Sequence, residues 1–149
     1  MLLLSRTIHF NAAHRLWNPA RDAEWNHATF GLAASETGYG HNYALELSVR
    51  GEPDPETGMI VNLTDLDRLL REEVDRPLDH RHLNREVPEF ALEVPTAENL
   101  ASWIWRKVEA RLGREGWPCT LASLVLTVTP SFSVELAAPP SATSRAGMD

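Results

Sequence analysis

Two histidines stand at the ends of strand-like runs: His14 in Phe10–Leu16 (FNAAHRL) and His41 in Tyr39–Tyr43 (YGHNY). Neutral imidazoles suit zinc, and a catalytic zinc usually takes three protein ligands and keeps a fourth position for water or substrate. The pair therefore reads as half of a metal site. It also reads as two core histidines, each satisfied by a backbone hydrogen bond.

A second candidate is the adjacent pair Asp79-His80. A carboxylate that fixes a histidine's tautomer and strengthens it as a base makes a proton-transfer group near neutral pH. Such pairs also occur in ordinary exposed turns. His82, two residues on, reads as solvated. His9 and His27 read as surface residues that remain available as spare ligands. Cys119 follows Trp117-Pro118 with no histidine or cation beside it, and reads as a small buried residue, not a nucleophile. Glu135 lies on a short strand, and nothing in the pattern points it inward.

The elements that must position these groups follow from periodicity. Thr7 to Ala13 alternates as a strand with Ile8, Phe10 and Ala12 on one face, which His14 joins at the end. Trp17 to Gly40 is a long excursion with one short helix around Asp22 to Phe30; loops of this length are usually functional. His41 to Arg50 alternates cleanly, with Tyr43, Leu45, Leu47 and Val49 on the apolar side. Gly51 to Gly58 is a turn. Asn62 caps a helix from Leu63 to about Asp75, with Leu63, Leu66, Leu69, Leu70 and Val74 as its stripe and Pro77 as its stop. Thr96 caps a second helix, Ala97 to Leu112, stopped by Gly113. Thr120 to Thr129 and Ser133 to Leu136 are two more strands.

The order ββααββ predicts an α+β domain over 1–138, a four-stranded antiparallel sheet with both helices on one face, followed by a flexible tail over 139–149. Such a sheet has two open edges, so a homo-oligomer joined edge to edge is expected. With 149 residues, 43% of them hydrophobic, a single domain with a normal core is expected. The net charge of −7 leaves no basic stripe for nucleic acid or an anionic membrane. No run reaches membrane-spanning length. The opening MLLLSRTIHF lacks a signal peptide's basic start and cleavage site, and one cysteine fits a reducing compartment. The expectation is a soluble cytoplasmic domain.

Several motifs in register resemble the 6-pyruvoyl and 6-carboxy-tetrahydropterin synthase family, over roughly Leu4 to Leu136. They are FNAAHRL, GHNYALELSVRGEPDPETGMIVNLTDL, LDHRHLN and PTAENLASWIW. The resemblance implies the tunnelling (T-) fold, with sheets joined into an oligomeric β-barrel, trimeric or hexameric. It implies zinc held by three histidines and a cysteine assisted by an Asp-His pair from a neighbouring subunit. A glutamate would anchor the pterin, and triphosphate would be eliminated from dihydroneopterin triphosphate. Carried over by position, His14 and His41 are two zinc ligands, Asp79 and His80 the relay pair, and Thr96 a residue of the substrate pocket.

Three family positions are lost. Tyr39 stands where the third zinc histidine belongs, Ala33 where the cysteine belongs, and Val128 where the pterin-anchoring glutamate belongs. A third zinc ligand then has to come from Tyr39, His27, a nearby carboxylate or the substrate. The expectation is a divergent, lyase-type enzyme performing metal-assisted elimination or isomerisation on a small molecule other than a pterin. The alternatives are a genuine tetrahydropterin synthase with substitute residues, and a catalytically inactive binding or scaffold protein.

Overall fold

In the computed structural model, which describes residues 1–139, the sheet has five strands in the order β3-β1-β2-β4-β5. The expected tail falls almost wholly outside the described residues. Strand β1 (Leu2–His14) pairs antiparallel with β2 (Tyr39–Gly51) over its whole length. β2 pairs with β4 (Cys119–Thr129), and β4 with β5 (Phe132–Ala137), both antiparallel. The fifth strand is the two-residue β3 (Arg81–His82), which runs parallel to β1 opposite Ala12 and Ala13. The expected four-stranded sheet is thus corrected to five. The polar LDHRH segment bonds to the edge of β1 and leaves no apolar alternation by which to find it.

Strand β1 also begins earlier than its alternation suggests. Leu2 and Leu3 are exposed, yet Leu2 pairs with Gly51 and Leu3 with Arg50, so pairing rather than burial holds them in the strand. The core face of the sheet carries Phe10, Tyr43, Leu45, Leu47, Leu124 and Leu126, all buried. Besides the short helices α1 (Ala23–Phe30) and α4 (Leu83–Glu86), the chain forms α2 (Leu63–Leu70) and α5 (Ala97–Glu115), which lie over this face and bury Leu66, Leu69, Leu70, Leu100, Ile104 and Val108. Leu63, expected in the buried stripe, is exposed in the first turn of α2. A forked pair from Arg6 Nε and Nη2 to the two Asp67 carboxylate oxygens, at 2.8 and 3.0 Å, ties β1 to α2.

Pro77 does not stop the helix where expected. A wider π turn, Arg71–Asp75, follows α2 and leads into the short α3 (Arg76–Leu78). A proline ring crowds the carbonyl four residues back, here Glu73, and the wider turn lies at that point. Nor does Gly113 end α5. The helix runs on to Glu115, and the left-handed cap is Gly116 (φ 68°), whose N–H reaches Leu112 O at 3.2 Å.

Thr96 caps α5, with its Oγ1 accepting from Asn99 N at 3.1 Å. Replacement of Thr96 by alanine should lower the unfolding free energy by roughly 1 kcal/mol, while serine should restore it. Urea unfolding of the three proteins measures this, and equal stability of all three would contradict the capping role.

Candidate functional site

The register of β1 against β2 places His14 opposite Tyr39, Ala12 opposite His41, and Phe10 opposite Tyr43. Paired residues of antiparallel strands share a face, so these side chains gather on the core side at one end of the sheet. The ring centroids of His14 and His41 are 5.5 Å apart. Tyr39 lies 4.7 Å from His14 and 5.3 Å from His41, while Tyr43 lies 5.6 Å from His41 and stacks on Phe10 at 5.0 Å. His14 is only 4% exposed, and its Nδ1 is 3.4 Å from the Tyr43 hydroxyl. The two strand-end histidines therefore do lie together, beside two phenols.

Burial, reinforced by His41 and His82, pulls the His14 pKa down to about 4. Burial also lowers His41 and raises Tyr39. Tyr43 is pushed up by burial and then by Tyr39. At neutral pH the cluster is therefore two neutral imidazoles and two neutral phenols.

The turn after α3 brings Asp79 and His80 against β1. Asn11 N donates to Asp79 Oδ1 at 2.9 Å, and His80 N donates to Asn11 O at 2.6 Å. His80 takes a left-handed backbone (φ 59°), a conformation that costs a non-glycine residue roughly 1–2 kcal/mol and recurs at functional sites. Its Nδ1 is 3.0 Å from Asp79 Oδ2, and its ring is largely exposed. The Asn11 N–H is the main reason the Asp79 carboxyl titrates low, so it stays ionised and accepts from His80 Nδ1–H. The other ring nitrogen is then the basic one. Behind it, burial and the nearness of Asp79 raise the carboxyl of Asp75.

His80, Arg81, His82 and His41 line one cleft of about 550 Å³, together with Asn11 and Glu86. The pair and His41 thus share a cleft within a single chain. The expectation that His82 is solvated is corrected. Both of its ring nitrogens are buried without a hydrogen-bond partner among the described residues, because β3 carries the residue against the end of β1. Its N–H is held by Glu86 Oε2 at 2.7 Å. Gly38, with φ 69°, permits this close packing: a Cβ there would lie 2.7 Å from His14 O and 3.3 Å from His82 Nε2. Asn84, the last residue of LDHRHLN, exchanges bonds of 2.9 and 3.0 Å with the Arg15 backbone and locks the same junction. Glycine and asparagine at these positions were the only sequence signal for it.

Other expected site residues lie elsewhere. His27 packs edge-on against Trp17 at 5.6 Å and lines a separate cleft with Arg15, Ser35 and Glu36. Ala33 sits in the 3₁₀ turn Gly31–Ala34, its carbonyl accepting from Leu16 N at 2.8 Å. Val128 is buried on β4, Glu135 is exposed on β5, and Cys119 is buried with its thiol pushed up by burial. Among the described residues no three of histidine, cysteine, aspartate and glutamate are grouped to hold a metal. The donor set near His14 and His41 is completed by a phenol, so the residues present do not fit a three-histidine zinc.

The comparisons agree with one another. The family model for 6-pyruvoyl tetrahydropterin synthase matches residues 3–137. The Homo sapiens 6-pyruvoyl tetrahydrobiopterin synthase is 43% identical over 106 residues, covering 71% of this chain and 73% of that protein. The one from Poecilia reticulata is 45% identical over 102 residues, covering 68% and 69%. Among solved structures, 6-pyruvoyl tetrahydropterin synthase of Caenorhabditis elegans superposes with a TM-score of 0.83 at 30% identity, covering 93% of this chain and 96% of that one. The Plasmodium vivax enzyme shares the fold at 15% identity, with a TM-score of 0.61 over 91% and 98% of the two chains.

Because the native His14 ring resists a proton that the unfolded ring accepts near its ordinary value, its contribution to stability is complete above about pH 6.5 and is lost as pH falls toward 4. Between ~pH 7 and ~pH 4.5 the wild type should lose roughly 2–3 kcal/mol more than His14→Gln. Denaturant unfolding at the two pH values checks this, and equal losses would contradict the buried neutral ring.

Proposed function

Since the chain belongs to the 6-pyruvoyl tetrahydropterin synthase family, we propose that it is a lyase-type enzyme in which His80 transfers the proton and Asp79 orients it. The substrate is a small polar molecule held in the cleft of Asn11, His41 and Arg81. The observation that carries this reading is the Asp79–His80 pair, with one carboxylate oxygen fixed by Asn11 N–H and the other 3.0 Å from His80 Nδ1. The free nitrogen of an exposed ring takes a proton from carbon or oxygen beside a carbonyl or hydroxyl. It returns that proton to the neighbouring carbon in an isomerisation, or to the departing oxygen in an elimination. No step is routed through zinc.

The leading reading places the substrate outside the pterins. The family position that anchors the pterin is Val128, apolar and buried. A donor edge left unpaired in a closed site costs ~1–3 kcal/mol per group, which selects against a ligand that needs a carboxylate there. The second reading, a genuine pterin synthase with substitute residues, is favoured by the 43% identity to relatives bearing that name. In either case we expect copies of the chain to join at the open edges, β3 and β5, into a trimer or hexamer with a closed barrel. Among the described residues no helix is long and apolar enough to cross a membrane, and we place the protein in the cytoplasm.

The wild type and the His80→Gln and Asp79→Asn variants should be incubated with dihydroneopterin triphosphate and with a panel of phosphorylated hydroxy-carbonyl compounds in deuterated water. Release of phosphate or triphosphate and deuterium uptake are followed. Turnover of a panel compound but not of the pterin, reduced ~10²–10⁴-fold in His80→Gln, is the expected result. Turnover of the pterin selects the second reading. Activity indifferent to both substitutions would refute the proton-transfer role.

A further inference from the structure

We infer that the ring cluster at the β1–β2 end is a metal cap closed by its own third ring. The resting protein then holds no stoichiometric zinc there, and the single change Tyr39→His opens the site. The inference uses the family only to say which position carries the third ligand; it does not depend on the role given to His80.

The other parts of a zinc site are in place. Two imidazoles bound to one tetrahedral zinc at ~2.0–2.1 Å stand about 5 Å apart, centroid to centroid, and His14 and His41 stand at 5.5 Å. They come from facing strands on one face of the sheet, so the register holds them and no flexible loop is involved. The Tyr43 hydroxyl, 3.4 Å from His14 Nδ1, is placed as the outer partner that orients a metal-binding histidine and leaves Nε2 for the metal.

What is missing is the third nitrogen. Tyr39 is paired opposite His14 and contacts both imidazoles, with centroids 4.7 and 5.3 Å away, so the third vertex is filled by a six-membered carbon ring. Its only donor is a phenol oxygen, carried beyond the ring where an imidazole has nitrogen within it. Zinc takes imidazole, thiolate or carboxylate, and a phenol supplies none of these. No neighbour makes up the loss: His27 packs on Trp17 at another cleft, and His82, though near His14 and with unpartnered ring nitrogens, does not complete a group of three histidine, cysteine, aspartate or glutamate side chains able to hold a metal among the described residues. Tyr39 is 39% exposed, so the smaller histidine enters without crowding the core.

Wild type, Tyr39→His and the double variant His41→Ala/Tyr39→His should be loaded with zinc, dialysed and analysed for metal by mass spectrometry. Unfolding temperatures are measured with and without EDTA, and circular dichroism confirms the fold. The expected result is well below one zinc per chain in wild type, one per chain in Tyr39→His with an EDTA-sensitive unfolding temperature, and loss of both in the double variant. Three outcomes would overturn the inference. One is a stoichiometric, EDTA-sensitive zinc in wild type. Another is a folded Tyr39→His that takes up no zinc, and the third is a double variant that still holds it.

Discussion

The site depends on the antiparallel register between β1 and β2. Thirteen residue pairs run from Leu2↔Gly51 to His14↔Tyr39. Side chains alternate with a period of two, so a slip of one residue would send His14 to the other face of the sheet and scatter the cluster. The register is held at one end by the buried Phe10–Tyr43 stack and along the strand by the alternation of Leu45 and Leu47 into the core. The chemistry at the rim of the sheet therefore inherits its geometry from the most ordinary part of the fold, which makes it rigid.

A second attachment joins the proton-transfer pair to the same strand. Asp79 and His80 bond to Asn11, on the outer face of β1, and the parallel bridge of β3 continues the attachment to Ala12 and Ala13. Asn84 closes it on Arg15. One strand thus carries an imidazole on its core face and a carboxylate–histidine pair at its edge. The strained backbone of His80 is offset by these bonds, and the ring is left exposed at the cleft.

Much of this was legible in the sequence. Strict alternation in His41 to Arg50 and the caps Asn62 and Thr96 announced β2, α2 and α5, and the two strand-end histidines announced the cluster. What escaped has local physical causes. β3 is two polar residues long, and a strand made by edge pairing alone leaves no periodic signal. The burial of the His82 ring nitrogens follows from that bridge and was invisible with it. Gly113 looked like a stop because glycine is a poor helix former, but Leu112 before it is buried and Arg111 Nε reaches across it to Glu115 Oε1 at 2.6 Å, so α5 tolerates it. Thr96 was legible as a cap, and its hydroxyl does satisfy the first turn of α5.

The family's architecture persists here, and on the proposed reading it carries a changed set of reactive groups: phenol for imidazole at Tyr39, methyl for thiol at Ala33, and an alkyl chain for carboxylate at Val128. The scaffold beneath them is a core built from the sheet and the two helices. Everything else rests on His14, Tyr39 and His41 forming one uncharged ring cluster around a buried His14. Nitrogen-15 and proton NMR of the histidine and tyrosine rings tests it most directly. Ring-to-ring proton contacts among the three, with His14 still neutral near pH 6, are the predicted result. A His14 ring that shows no contact with Tyr39 and takes up its proton at the ordinary histidine value would contradict it.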